Sequence, residues 1–125
     1  MKERKGNNFR VNIQEPFIKS FLFQILFGFK ELHSRNIFHR DLKLANILYS
    51  MKENQMIFKI SDFGISKKIE IGQVNQFQTK VGSDFYRPPE VVGDPELCIS
   101  QSYGVDMYPI GMITYNLALG NVLFK

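Results

Sequence analysis

Two polar segments frame the middle of this chain, and their spacing limits how the chain can fold. The first covers residues 39–46 (HRDLKLAN), and the second is the triplet at residues 62–64 (DFG). Two short apolar runs lie between them, at residues 47–49 and 56–60, joined by a polar link at residues 50–55. Apolar runs on either side of a polar link predict an antiparallel hairpin. Such a hairpin brings the ends of the two polar segments together.

The predicted hairpin has a chemical consequence, because a polar residue stands directly outside each strand. Asn46 precedes the first strand and Asp62 follows the second. Their amide and carboxylate oxygens are of the type that binds Mg²⁺. In an extended loop, Asp41 and Lys43 would point to the same side, where Asp41 can orient an attacking hydroxyl and Lys43 can neutralise a phosphoryl group. These four side chains have the spacing that phosphoryl transfer from ATP requires.

Two longer segments show the three- and four-residue spacing of apolar side chains that predicts helices. The first begins at Pro16, a residue tolerated in the first turn of a helix, and runs to about Ser34. Its apolar residues surround the helix almost completely, so we expect it to be buried on all sides. The second runs from about Val105 to Leu119, and Pro109 is tolerable if that helix begins near Val105.

Length and composition exclude several classes of protein. A chain of 125 residues holds at most one small domain. The net charge of +4 is modest, and no segment combines clustered basic residues with aromatic residues, so we expect no nucleic-acid binding. The single cysteine excludes an internal disulfide and suits a reducing compartment.

We also expect no membrane attachment. The apolar stretch at residues 17–29 is shorter than the roughly 20 apolar residues that a bilayer requires. Met1 is followed by charged residues and not by the apolar core of a signal peptide. A cytoplasmic location is therefore the expectation, with a nuclear one also compatible.

Three motifs in one order indicate a resemblance that none of them would support alone. HRDLKLAN, then DFG, then Pro88-Pro89-Glu90 follow one another as they do in eukaryotic protein kinases. The chain resembles the lower, larger lobe of that family from about residue 16 to residue 120. The resemblance implies a kinase-like α+β fold, mainly helical here, with a small antiparallel hairpin beside the catalytic loop.

The same resemblance implies that residues 1–125 form a partial protein kinase domain. The family's upper lobe, with its glycine-rich loop and strand lysine, has no counterpart in this sequence, and neither do the last helices of the lower lobe. Most ATP affinity would depend on that upper lobe. We therefore expect the 125-residue chain alone to be an inefficient kinase.

The resemblance also implies roles for individual residues. Asp41 would be the catalytic base, and Lys43 would contact the γ-phosphate and indicate serine/threonine specificity. Asn46 and Asp62 would bind Mg²⁺, and Asn46, Lys43 and Asp62 would together contact the bound ATP. Leu48 would form the floor of the adenine pocket.

Other residues would regulate or support the site. Arg40 would pair with a phosphate placed on Thr79 by an upstream activating kinase, and the charge of that phosphate would order the loop. An unmodified loop threonine is the alternative. Ser83 resembles the hydroxyl residue that bridges the catalytic aspartate and lysine. Phe63 would pack against His39, which has a structural role.

A further aspartate, Asp106, resembles the residue of a central buried helix that braces the catalytic loop. A carboxylate at this place would also be favoured by the dipole at the start of its helix, and the two explanations are compatible.

Two functional hypotheses follow. The first is an ATP-dependent protein serine/threonine kinase that uses Mg²⁺ and acts on a protein substrate. The second is a non-catalytic, pseudokinase-like interaction module or truncated remnant. The intact set of Asp41, Lys43, Asn46 and Asp62 favours the first, and the missing upper lobe favours the second.

Overall fold

The computed structural model describes residues 13–69, 84–89 and 103–120. Two α-helices and two small antiparallel sheets make up most of this part of the chain. The elements in chain order are α1 (Glu15–Ser34), β1 (Ile37–Phe38), β2 (Ile47–Lys52), β3 (Gln55–Ile60), β4 (Lys67–Lys68) and α2 (Gly104–Leu119). Two short 3₁₀ turns, Leu44–Asn46 and Asp84–Tyr86, complete the set.

The core lies where α1, α2 and the loop before β2 meet. Buried apolar side chains from these three segments form one cluster: Phe21, Ile25, Phe29, Leu42, Ile110 and Ile113. Because Leu42 belongs to the loop and not to either helix, the loop is anchored in the core by an apolar side chain. Burial of a leucine of this kind contributes about 1.5–3 kcal/mol.

Helix α1 matches the predicted bounds but is not buried on all sides, so that expectation is wrong. Phe21, Ile25 and Phe29 face the core, whereas Phe23 is 72% exposed and Phe27 is 56% exposed. The two exposed rings stack on each other, with centroids 6.4 Å apart. Both faces are apolar, so composition alone cannot distinguish them. They differ because only one has a described segment packed against it.

The hairpin of β2 and β3 confirms the predicted antiparallel pair and extends it. Ile47 pairs with Ile60 at the open end, and Lys52 pairs with Gln55 next to the turn. Only Glu53 and Asn54 remain in the turn, with φ values of 47° and 65°. Two consecutive positive φ values are typical of a type I′ turn, whose twist matches that of paired strands. Residues 50–52 and 55, expected in the link, thus belong to strands, because the ladder continues to the turn.

We expect the substitution Glu53→Asn to stabilise the hairpin by up to about 1 kcal/mol, because asparagine tolerates the left-handed conformation better than glutamate does. Urea unfolding of the 125-residue chain measures the change. Gln55→Asn is the matched control, since Gln55 lies in a strand and not at a positive φ. An equal gain from both substitutions would contradict the explanation.

Gln24 joins helix α1 to strand β3 through both ends of its side-chain amide. Its nitrogen donates to the Met56 carbonyl at 3.0 Å, and its oxygen accepts the Phe58 N–H at 2.9 Å. The Phe58 ring also packs edge-to-face on Phe21, with centroids 5.2 Å apart. Four residues along the helix, Gly28 lies so close to β3 that a Cβ there would be 3.0 Å from an Ile60 methyl.

We expect Gln24→Leu to lower the free energy of unfolding by about 1–3 kcal/mol, because it leaves a strand N–H and a carbonyl without their partners. Urea denaturation measures the loss. Gln24 also donates to the exposed Ser20 hydroxyl at 3.1 Å, so Ser20→Ala removes one bond of the same side chain and serves as the control. A loss in the control as large as that in Gln24→Leu would show that the contacts with β3 are not the cause.

Helix α2 begins at Gly104, one residue before the predicted start, and ends at Leu119. Pro109 therefore lies in the second turn, where its missing N–H removes a helical hydrogen bond to Val105. Gly120 closes the helix with a φ of 65°, a conformation that glycine adopts without strain. Among the described helices, none is both long and apolar enough to span a bilayer.

Candidate active site

The loop at residues 39–43 connects β1 to the 3₁₀ turn, and its alternating side chains set the direction of the polar groups. Leu42 points into the core, so its neighbours Asp41 and Lys43 point the other way along extended backbone. The Lys43 Nζ lies 3.6 Å from the Asp41 Oδ2. This confirms the expectation that both side chains lie on one side of the loop.

Asn46 holds the loop in place through hydrogen bonds to two of its backbone carbonyls. Its side chain is buried, and its Nδ2 donates to the Asp41 carbonyl at 2.8 Å. Its backbone N–H donates to the Lys43 carbonyl at 2.9 Å. Because the amide nitrogen is engaged, the Oδ1 atom is the part of this side chain suited to act as a ligand.

The hairpin brings Asp62 next to Asn46, as predicted. The preceding residue, Ser61, donates from both its backbone N–H (2.8 Å) and its hydroxyl (2.9 Å) to the Asn46 carbonyl. Asp62 itself has a φ of 63°, and its Oδ1 accepts the Gly64 N–H at 3.3 Å. A Cβ at Gly64 would lie 3.2 Å from that oxygen, so glycine leaves room for the carboxylate.

His39 is structural, as expected. The ring is fully buried, and its Nε2 lies 2.8 Å from the Ser61 carbonyl, so Nε2 carries the proton. The Asp41 N–H approaches Nδ1 at 3.3 Å, which fits the same tautomer. Phe63 packs edge-to-face on this ring with centroids 5.0 Å apart, which confirms the predicted contact. His39 thus ties the loop to the segment that carries Asp62.

Asp106 from helix α2 braces the backbone of the loop, which confirms the role expected of it. Its carboxylate is fully buried and accepts the His39 N–H at 3.0 Å and the Arg40 N–H at 2.8 Å. Arg40 has a φ of 67°, and a residue other than glycine in that conformation costs about 1–3 kcal/mol. The two hydrogen bonds hold this strained residue directly before Asp41.

The Arg40 guanidinium donates from Nε to the Ile65 carbonyl at 2.8 Å, and its Nη2 contacts the same oxygen. Burial lowers the pKa of this group, and the negative charge of Asp106 acts in the opposite direction. Its predicted phosphate partner, Thr79, lies outside the described residues, and so does Ser83. Leu48 is 57% exposed on β2, and its adenine contact stays a prediction.

Sequence reasoning did not single out His33, which contacts the Asp106 carboxylate from helix α1 at 2.8 Å. The signal that could have found it is an imidazole on the apolar face of a helix, one turn after Phe29. A polar group in such a place requires a hydrogen-bond partner from another element.

Comparison with known proteins agrees with this geometry. A family model described as protein kinase domain matches residues 4–125. One chain of the crystal structure of the yeast RNA Pol II CTD kinase CTDK-1 complex superimposes with a TM-score of 0.76 at 32% identity, covering 94% of this chain and 36% of that one. The chain belongs to the protein kinase family, and the predicted fold class is confirmed.

Individual relatives are named kinases. Cyclin-dependent kinase C-2 C of Arabidopsis thaliana is 32% identical over 122 residues, which are 96% of this chain and 18% of that protein. The serine/threonine-protein kinase nekl-2 of Caenorhabditis elegans is 36% identical over 115 residues, which are 90% of this chain and 29% of that protein. The chain thus spans less than a third of the length of these relatives.

Proposed function

We propose that this chain is the catalytic part of an ATP-dependent protein serine/threonine kinase. The observation that carries the proposal is that Asp41 and Lys43 lie on the same side of the loop. The hairpin brings Asn46 and Asp62 beside them. A carboxylate beside a lysine, with a second carboxylate and an amide close by, suits transfer of a phosphoryl group, whose transition state requires positioning and charge stabilisation.

The roles of the side chains follow from their chemistry. The Asp41 carboxylate accepts a hydrogen bond from the attacking serine or threonine hydroxyl, aligns it and takes up its proton late in the reaction. The Lys43 ammonium, on the same side of the loop, contacts the γ-phosphate of ATP and offsets its charge. Leu48 contributes an apolar surface for the adenine base.

Asn46 and Asp62 fit a magnesium ion. They offer one amide oxygen and one carboxylate, and Mg²⁺ commonly takes one or two carboxylates together with substrate phosphates and water. Within residues 13–69, 84–89 and 103–120, no three His, Cys, Asp or Glu side chains form a metal-binding cluster. Asp62 and Asn46 would hold a bound Mg²⁺ beside the loop, where the ion would supply charge neutralisation for phosphoryl transfer.

The proposal extends to partners and regulation. The substrate is a serine- or threonine-containing protein, since the resemblance of Lys43 to the family pattern implies this specificity. An upstream kinase would phosphorylate Thr79, and Arg40 would bind that phosphate. Activity in the cytoplasm or nucleus is part of the same proposal.

A segment exchange tests the proposal without relying on the isolated chain. In the hybrid kinase, residues 15–119 replace the matching segment of the kinase chain in the CTDK-1 complex. We expect the hybrid to transfer phosphate from ATP to a serine/threonine peptide, and the isolated 125-residue chain to do so inefficiently. A folded hybrid that binds ATP and transfers no phosphate would contradict the proposal.

The alternative is a non-catalytic interaction module, and one surface favours it. An apolar groove of about 480 Å³ lies between α1 and β3, with the exposed Phe23 and Phe27 at one side and Phe63 at the other. Under this alternative the hybrid would bind ATP through its upper lobe but give no turnover, and substitution of Asp41 would change nothing that can be measured. Sequencing the natural transcript on both sides of this segment would show whether it also encodes an upper lobe.

A further inference from the structure

We propose that two copies of this chain associate through an exposed row of side chains on helix α1. Four residues spaced four apart form this row, which we call the α1 ridge: Lys19, Phe23, Phe27 and Glu31. Residues four apart are neighbours on the surface of a helix. None of the four belongs to the proposed active site, so the dimer does not depend on the proposed function.

Two aromatic rings form the centre of the α1 ridge. Phe23 is 72% exposed and Phe27 is 56% exposed, although both lie in the middle of a regular helix. Their rings stack on each other, so they present one continuous apolar surface. Exposed apolar side chains that form a patch, unlike single ones, mark surfaces for binding.

Charged residues of opposite sign flank the two rings, with Lys19 before them and Glu31 after them. The Lys19 Nζ lies 2.6 Å from the Glu15 Oε1 on the same helix. The Glu31 Oε2 lies 3.9 Å from the Arg35 Nη2. All four of these side chains are more than half exposed. An ammonium has three donor hydrogens and a carboxylate has two acceptor oxygens, so Lys19 and Glu31 can each bind a further charged group.

The order of the α1 ridge favours a second copy of the same chain as the occupant. Along the helix the ridge is positive, aromatic, aromatic and negative, and this order is complementary to its own reverse. A two-fold axis between the rings places Phe23 against Phe27 of the second copy. The same axis places Lys19 against Glu31 of the second copy. Each contact occurs twice, as in any isologous dimer, whereas a parallel pairing would bring like charges together.

The packing rules of helices permit this arrangement. Rows of residues four apart are inclined to the helix axis, and two such rows run along each other when the helices cross at about 50°. The rings then meet at the centre, and the long side chains of Lys19 and Glu31 reach each other at the rim. The groove between α1 and β3 has Phe23 and Phe27 in its wall, which leaves space beside them for the rings of the second copy.

The contact is small, so the dimer should be weak. At roughly 200 Å² for each phenylalanine side chain, the exposed parts of four rings supply about 500 Å². A stable interface commonly buries about 1,200–2,000 Å². We therefore expect a reversible dimer with a dissociation constant on the order of 10–100 μM.

Sedimentation equilibrium of the 125-residue chain, from about 10 to 500 μM, measures the association. We expect the average mass to rise from that of the monomer toward that of the dimer. Phe23→Ser should raise the dissociation constant about tenfold or more. Its circular dichroism should match that of the parent, because the ring is mostly exposed. Tyr49→Ser is the matched control, since Tyr49 is 70% exposed on β2 and lies outside the α1 ridge.

Charge reversal tests the antiparallel register. Lys19→Glu and Glu31→Lys each bring like charges together across the dimer, and each should weaken association about threefold to tenfold. The double variant should associate like the parent, because the two charges have exchanged places. An equimolar mixture of the two single variants should do so too, since every contact between unlike copies is again between opposite charges. Residues 19 and 31 lie about 18 Å apart along one helix, so only contact between copies explains such restoration.

Three results would overturn the inference. A chain that stays monomeric at the highest concentration would leave the α1 ridge to another segment or partner. A dimer that Phe23→Ser does not weaken would form through another surface. A dimer that neither the double variant nor the mixture restores would lack the proposed contact between Lys19 and Glu31.

Discussion

Replacing Asp41 with asparagine is expected to lower phosphate transfer by the hybrid kinase by about 10²- to 10⁴-fold, the range supplied by a positioned acid–base group. Asparagine has nearly the same size but cannot take up the proton of the attacking hydroxyl. The Asn46 Nδ2 donates its hydrogen bond to the Asp41 backbone carbonyl at 2.8 Å, and the substitution leaves that acceptor in place. The loss should therefore appear in kcat, measured at saturating ATP and peptide.

Two controls accompany this measurement. Glu31→Gln neutralises a carboxylate in the last part of α1, away from the loop, and should leave the rate unchanged. Thermal unfolding of the Asp41→Asn hybrid should match that of the parent, because the loop remains anchored by the buried Leu42. A rate within threefold of the parent would mean that Asp41 is not the catalytic base.

Replacing Asp106 with alanine is expected to cause the largest loss of stability, about 3 kcal/mol or more, because each of the three buried donors left without an acceptor costs about 1–3 kcal/mol. The substitution leaves the His39 and Arg40 amides and the His33 ring without an acceptor in a site from which water is excluded. A loss of this size is a large part of the 5–15 kcal/mol that stabilises a typical domain. Circular dichroism with urea, applied to the 125-residue chain, measures it.

Glu15→Gln is the matched control for Asp106→Ala. Glu15 is a carboxylate that forms an ion pair with Lys19 at 2.6 Å, and both side chains are about three-quarters exposed. Exposed pairs contribute from nearly zero to about 1 kcal/mol, so the midpoint of unfolding should hardly move. If Asp106→Ala lowers the free energy of unfolding no more than this control does, the three hydrogen bonds do not stabilise the fold as expected.

Local patterns predicted much of this molecule. The spacing of apolar residues gave the bounds of both helices to within one residue, because one helical face must meet the core wherever the helix lies. The two apolar runs predicted the hairpin, and the hairpin predicted that Asn46 and Asp62 are neighbours. The polar residues at 41 and 43 were expected on one side of the loop, since extended backbone alternates its side chains.

Other features depended on contacts between distant segments. Both faces of α1 are apolar, and only the packing of α2 and β3 shows that Phe21 is buried while Phe23 is exposed. No local signal marks Gln24 as the link to β3, since its partners are backbone atoms 32 and 34 residues away. Such bonds become visible only when the segments are placed together.

The sequence by itself determined which chemical groups are present and in what order: the carboxylates, the lysine, the amide and the strands that bring two of them together. Only the tertiary structure decided how Arg40 holds a positive φ value, a conformation that this residue does not favour alone. The physical reason is that this strain is offset by bonds formed across the fold. For Arg40 these come from Asp106, 66 residues further along the chain, whose carboxylate His33 reaches from a third element.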